Sequence, residues 1–298
     1  MNAERATPAS VSGRGYGGQT RGVLWSARRL SIYIALVVLS LVFLVPLLWI
    51  VTTSFKEQGQ VFVYPPQWLP DPWRWDNYPE AMQRAPLWTW LANTAIITVL
   101  STAGNVIASS MVAFGFARIR FPGRDKLFIL MLSTMMLPPI VTLIPRFILF
   151  KEIGWIDTFL PFIVPAWLGG GAYNIFLVRQ YYLTLPVDLD EAAKIDGASN
   201  WRVWWNILMP LSYPVLIAVA IFSFVAHWND FLDPLIFLGR ENLKTLSIGL
   251  RAFINPYDAS WHITMAASMW LIVPMITVFF VGQRYFIKGV SMTGITGR

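Results

Sequence analysis

The chain has 298 residues, 56% of them hydrophobic and only 13% charged, with a formal net charge of +7 and a mean hydropathy of +0.54. Soluble domains carry about 25% charged residues, so an ordinary soluble fold is excluded and an integral membrane protein is indicated. The absence of cysteine removes disulfides, thiolate chemistry and cysteine metal sites, and the two histidines, His227 and His262, are too far apart in sequence to suggest a metal centre.

Residues 1–30 are rich in Gly, Ser, Thr and Arg, have no apolar periodicity, and read as a disordered tail. A cleaved signal peptide is not indicated, because the apolar run that follows is too long and no small-residue cleavage site follows closely. Crossing the hydrocarbon takes about 20 apolar residues, and six stretches meet that length. The first is 31–55, Ser31 to Phe55, with Pro46 inside it. A loop at 56–86 is too polar to span and leads into a membrane core at 87–283. The second span lies within Ala85 to Ala117, the third is Leu127 to Pro145 and the fourth Thr158 to Val178. The fifth runs from near Ser212 to near Leu238, the sixth lies within Ala259 to Gln283, and a tail at 284–298 ends the chain. The expected fold is therefore all-α, integral to the membrane, with six transmembrane helices. Trp68, Trp73, Trp75, Trp88 and Trp90 read as an interfacial aromatic belt. No matched pair of interrupted segments marks the two halves as an inverted repeat.

Lysines and arginines set the orientation. With six spans both termini share a side. The tail, the segment from Arg118 to Lys126, the segment from Arg179 to Arg202 and the final residues together hold 15 of the 23 basic residues. Both termini are accordingly placed in the cytoplasm. The positive balance is thereby a topogenic signal and needs no nucleic-acid partner.

Two middle spans are interrupted. The third contains Pro138, Pro139 and Pro145; the fourth contains Pro161, Pro165 and Gly169-Gly170-Gly171, with Asn174 just beyond. Backbone freed by such breaks is tolerated only against protein or a water-filled cavity. Two readings stand level: a translocation path, or close helix packing through small residues. The fifth span holds Trp228-Asn229-Asp230, where polar groups in a membrane are candidates for substrate contact or mark a helix end at the outer interface.

Between the fourth and fifth spans, residues 184–211 form a polar hairpin. Asp188, Asp190 and Glu191 sit early in its first helix, at the positive end of the dipole, and Leu189, Ala192 and Ala193 are spaced to share a face. Gly197 suits the left-handed residue that ends a helix, and Ser199 or Asn200 suits the cap of the next. Trp201, Trp204, Trp205 and Leu208 follow amphipathic helical spacing. Such an elbow reads as a docking element. The chain has no P-loop, no H-E-x-x-H and no G-x-S-x-G, so neither ATP hydrolysis nor an intramembrane hydrolase is indicated.

Glu191-Ala192-Ala193, with Asp196-Gly197 after it and then Ile207, Met209 and Pro210, resembles the EAA motif of ABC-importer membrane subunits, with Met209 where that family usually has leucine. Trp228-Asn229-Asp230-Phe231-Leu232 with Pro234-Leu235 looks like the fifth span of the carbohydrate branch, the maltose-type permeases. Met135-Met136-Leu137-Pro138-Pro139 is similar to that branch's third span. Gln283-Arg284-Tyr285-Phe286 through Gly294 and Gly297 resembles its tail, although Thr296 stands where a lysine is frequent.

The resemblance implies a type I ABC importer permease fold and a sugar or oligosaccharide substrate. It implies a second permease subunit, two ATPase subunits carrying ATP and Mg, and an extracytoplasmic binding protein. No cofactor belongs to the chain itself. Glu191, Ala192, Ala193, Asp196, Gly197, Trp201, Trp204, Leu208 and Pro210 become the expected ATPase-coupling residues, with Trp201, Trp204 and Leu208 filling the ATPase cleft. Gly294 and Gly297 join them at the ATPase. Pro138, Pro139, Gly169, Gly170, Asn174, Trp228, Asn229 and Asp230 become the expected path residues. An importer of glycerol phosphate or amino acids, or an ion-coupled secondary transporter, remains the alternative.

Overall fold

A computed structural model describes residues 18–254 and 260–293, with side chains placed for 29–254 and 260–283. Gly294 and Gly297 lie outside the described residues. The described backbone is helical and forms two compact units, residues 1–52 and 53–298. The first unit holds the bulk of α1 (Gly18–Thr53), which starts inside the tail that composition reads as disordered. Its side chains from Arg29 to Val45 are exposed, including Val42 at 60% and Phe43 at 73%.

The second unit begins at Thr53, so the loop at 56–86 belongs to the same compact body as the helices that follow it. Asn77 opens α2 (Asn77–Arg84) and is buried, its amide donating at 2.9 Å to the carbonyls of both Ser54 and Lys56. The Lys56 side chain is buried as well, with Nζ donating to the Gln67 carbonyl.

The central element is α3 (Leu87–Arg118), against which α6 (Leu160–Gly169), α7 (Ala172–Thr184) and α10 (Tyr213–Trp228) all pack. Its buried face carries small residues: Thr94, Thr98, Ser101, Gly104, Ala108, Ser109 and Ala113. Small side chains let helix backbones approach closely, which is how helices associate where lipid removes the hydrophobic drive. A Cβ on Gly104 would fall 2.5 Å from the Trp167 ring, and one on Gly170 only 2.4 Å from the Ser109 backbone nitrogen. The helix α12 (Trp261–Thr293) covers α10 and α2 and runs ten residues beyond the expected end of the sixth span.

Among the described residues four helices are long and apolar enough to cross a membrane, and two further pairs qualify only as bent spans. The third span is one of these and is not continuous: α4 (Arg124–Ser133) extends as a 3-10 turn to Met136, and α5 (Pro139–Glu152) leaves it at 99°. A residue before proline is pushed out of the helical region. Leu137 precedes Pro138 and Pro138 precedes Pro139, and both take extended ψ values, 122° and 133°. The fifth span also stops short, α10 ending at Trp228 and α11 (Leu232–Phe237) following separately. The fourth span stays a unit across its glycines. Gly170 is left-handed at φ 65°, and the Asn174 amide donates to the Gly170 carbonyl at 2.9 Å, satisfying a group the break sets free.

An exposed elbow and a cavity between broken spans

The hairpin is a short helix, a glycine turn and a second helix. In α8 (Asp188–Ile195) the buried residues are Asp190 and Ala193, while Glu191, Ala192 and Lys194 are exposed and Ile195 is 86% exposed. Gly197 turns the chain at φ 78°, its N–H donating to the Lys194 carbonyl at 3.0 Å. Ser199 is the cap of the next helix, its Oγ accepting from the Arg202 N–H.

That helix, α9 (Asn200–Leu211), holds a π-turn at Val203–Leu208. The wider turn, with its i→i+5 hydrogen bonds, splits the face that α-helical spacing assigns to four residues. Trp201 and Trp205 are 60% and 50% exposed, whereas Trp204 and Leu208 are buried at 1% and 0%. Trp204 Nε1 donates to Ser110 Oγ at 3.1 Å, and both buried residues belong to a core with Phe114, Val178 and Tyr182. Trp204 and Leu208 are therefore committed inside the chain and do not fill a partner's cleft. Their place on the outer surface is taken by Ile195, which periodicity had not marked. Ala193 also turns inward, and Asp196, Gly197 and Pro210 lie on the exposed side.

Beside the elbow is a cavity of ≈ 560 Å³ whose charged lining is Arg118, Arg120, Arg124, Asp190, Glu191 and Lys194. Arg118 Nε lies 3.1 Å from Asp190 Oδ2, with both side chains only 6% exposed. Burial pushes the Asp190 carboxyl above its ordinary range, opposed by the charges of Arg118 and Lys194. This ion pair was not legible in advance: Asp190 was read only as an acid at a helix start.

A second cavity, ≈ 680 Å³, opens where the bend of the third span meets the break in the fifth. Its walls include Thr134, Leu137, Pro139, Thr142, Asp230 and Leu232, together with an Arg146–Asp233 pair. That pair is bidentate, Nη1 and Nη2 donating at 2.8 and 3.0 Å to the two carboxylate oxygens. Asp230 accepts from the Asp233 N–H at 3.3 Å, and Asn229, exposed, donates to the Val225 carbonyl. Pro138 and Pro139 are exposed at this bend. Trp228 is not available to a substrate, being 4% exposed with Nε1 donating to the Leu271 carbonyl at 2.9 Å. Gly170 likewise packs against α3 and faces no open path, while Gly169 is exposed and Asn174 is used as a cap. Trp90 leaves the aromatic belt: it is 1% exposed, and its Nε1 reaches the Glu241 carbonyl. Opposite charges on two interrupted spans were the signal for Arg146 and Asp233, and only the pairing of those spans makes it readable.

These features define a polytopic helical membrane protein with an exposed elbow and a polar cavity at broken spans. The chain belongs to the family described as the binding-protein-dependent transport system inner membrane component, whose pattern matches residues 105–292. It is 34% identical over 259 residues to the arabinooligosaccharides transport system permease protein AraQ of Halalkalibacterium halodurans, covering 85% of this chain and 91% of that one. It is 33% identical over 220 residues to the maltose/maltodextrin transport system permease protein MalG of Escherichia coli, covering 71% of this chain and 73% of that one. A crystal structure of a bacterial ABC transporter involved in the import of the acidic polysaccharide alginate contains a chain of the same fold. The two superpose with a TM-score of 0.75 at 22% identity over 93% of this chain and 100% of that one. The type I importer permease architecture expected from the motifs is thus the architecture present.

Proposed function

We propose that the chain is a transmembrane permease subunit of an ATP-driven, binding-protein-dependent importer of sugars or oligosaccharides. It sits in the cytoplasmic membrane of a prokaryote with both termini inside. Its complex holds a second permease subunit, two ATPase subunits that bind ATP and Mg, and an extracytoplasmic binding protein. The chain catalyses no reaction of its own and carries no cofactor.

One observation carries the coupling role: the exposed surface of the elbow gathers Glu191, Ala192, Ile195, the Gly197 turn and Trp201. An apolar side chain as open as Ile195 on a polar elbow fits burial in a partner, and Glu191 offers a carboxylate to a cation there. ATP-driven closure of the ATPases moves the elbow, and the helices packed on α3 reorient to expose the path alternately to each side. Pro138, Pro139, Asn229 and Asp230 line that path, with Arg146 and Asp233 added from the cavity wall. Carbohydrate as the solute is supported by the similar arabinooligosaccharide and maltose permeases, and a glycerol phosphate or amino acid importer is the second reading.

The test uses the complete complex in proteoliposomes. Gly197→Pro forbids the φ of 78° and removes the N–H given to Lys194. This variant and Glu191→Ala are expected to insert and assemble at normal levels yet lose uptake driven by ATP. Normal uptake at normal expression in both overturns the role.

A further inference from the structure

The helix α8 bears the partner-facing Glu191 and Ala192 but has little hold on the bundle beneath it. Its buried residues are Asp190 and Ala193, and an alanine offers few contact atoms. The large buried anchors, Val203, Trp204 and Leu208, all belong to α9. Asp190 instead reaches Arg118, the last residue of α3, in a contact that is 6% exposed on both sides. Arg118 Nη2 also donates to the Leu185 carbonyl at 2.8 Å, so one guanidinium joins the ends of α3 and α7 to the start of α8. Asp190 Oδ1 has no hydrogen-bond partner, and the Arg118 charge is what offsets burying that carboxylate.

We propose that the Arg118–Asp190 pair is the strut through which the elbow drives α3, with Asp190 a positioning residue for energy coupling. Glu191 meets the partner, and Asp190, one residue earlier and about 100° around the helix on its buried side, carries the displacement into the bundle. Apolar contacts such as that of Ala193 can slide under shear. An ion pair with both side chains only 6% exposed resists, because separating the charges removes the attraction that offsets their lost hydration, although both edge the cavity beside the elbow. This inference rests on the coupling role proposed for the elbow.

The experiment reads uptake per ATP hydrolysed in proteoliposomes bearing the whole complex. That ratio is indifferent to how much complex assembles, so a loss of assembled complex does not move it. Asp190→Asn and Arg118→Met are expected to keep ATP hydrolysis while the ratio falls by about tenfold or more.

Because one-sided removal leaves a buried charge, a second variant replaces both partners with cysteine, Arg118→Cys with Asp190→Cys. The chain has no other cysteine, and partner subunits free of cysteine complete the complex. A short bis-thiosulfonate linker then rejoins α3 to α8. The ratio is expected to be low before linking, to recover after it, and to fall again on reduction. An unchanged ratio in the single variants, or no recovery on linking, overturns the strut. If Glu191→Ala and Gly197→Pro leave uptake intact, the elbow reading itself fails; if they uncouple and the Arg118 and Asp190 variants do not, only the strut fails.

Discussion

Two bends of similar sharpness interrupt the spans, and they differ in how their inner side is packed. Where the elbow's second helix, Asn200–Leu211, meets Tyr213–Trp228 at 81°, Ser212 is buried with Trp204 and Leu208 packed on the inner side, while Leu211 and Tyr213 face outward at 43% and 63% exposed. At the third span, Arg124–Met136 meets Pro139–Glu152 at 99°, and Met136 and Leu137 are 83% and 57% exposed. A bend filled by its own chain is fixed in shape and can transmit a push. A bend left open by its own chain can meet a ligand, lipid or a second subunit. The same backbone device therefore serves two purposes, and the difference lies in the side chains around it.

Substitutions at the two bends can break this contrast. Trp204→Ala should cost the most, about 3–5 kcal/mol, by emptying a large buried volume and removing the hydrogen bond given to Ser110 Oγ. Thermal unfolding of the purified subunit in detergent measures it, and a small shift would show that the elbow is not packed as described. Gly170→Ala comes next at about 3 kcal/mol, because a Cβ would meet the Ser109 backbone and the residue is held left-handed. The same melt reports it, with loss of folded protein as the extreme outcome. Arg146→Gln at the open bend should cost only about 1 kcal/mol, since the pair is 36% and 25% exposed and solvent screens it. Comparison of its melt with that of Asp233→Asn and the double variant isolates the pairwise part. Met136→Ala should be the mildest, within about 0.5 kcal/mol. A large destabilisation there would mean that the chain alone already covers the open bend.

Much of the hairpin was legible because its signals are local. Gly197 as the turn and a cap at Ser199 or Asn200 depend on backbone chemistry within a few residues; the turn stands as read, and the cap is Ser199. The apolar stretches were legible from their length, four as helices long enough to span and two as bent pairs, and the breaks at Pro138 and Gly170 from residues that disturb helices anywhere. What escaped depended on neighbours distant in sequence. Trp204 and Trp201 look alike until a π-turn rotates one under Ser110 and leaves the other outside. Trp90 and Trp228 look like interfacial residues until the carbonyls of Glu241 and Leu271 claim their indole N–H groups. Asp190 and Arg118 are 72 positions apart in the chain, and only the packing of α8 against the end of α3 makes them a pair.

The close approach of Gly170 to Ser109 has a mechanical consequence. With no room for a side chain between the fourth span and α3, the two are keyed at that tooth. Ser109 lies nine residues before Arg118 on α3, a lever arm of about 14 Å at the helical rise. A tilt imposed at the foot of α3 must swing the fourth span with it, and the glycine's place along the helix sets the gearing.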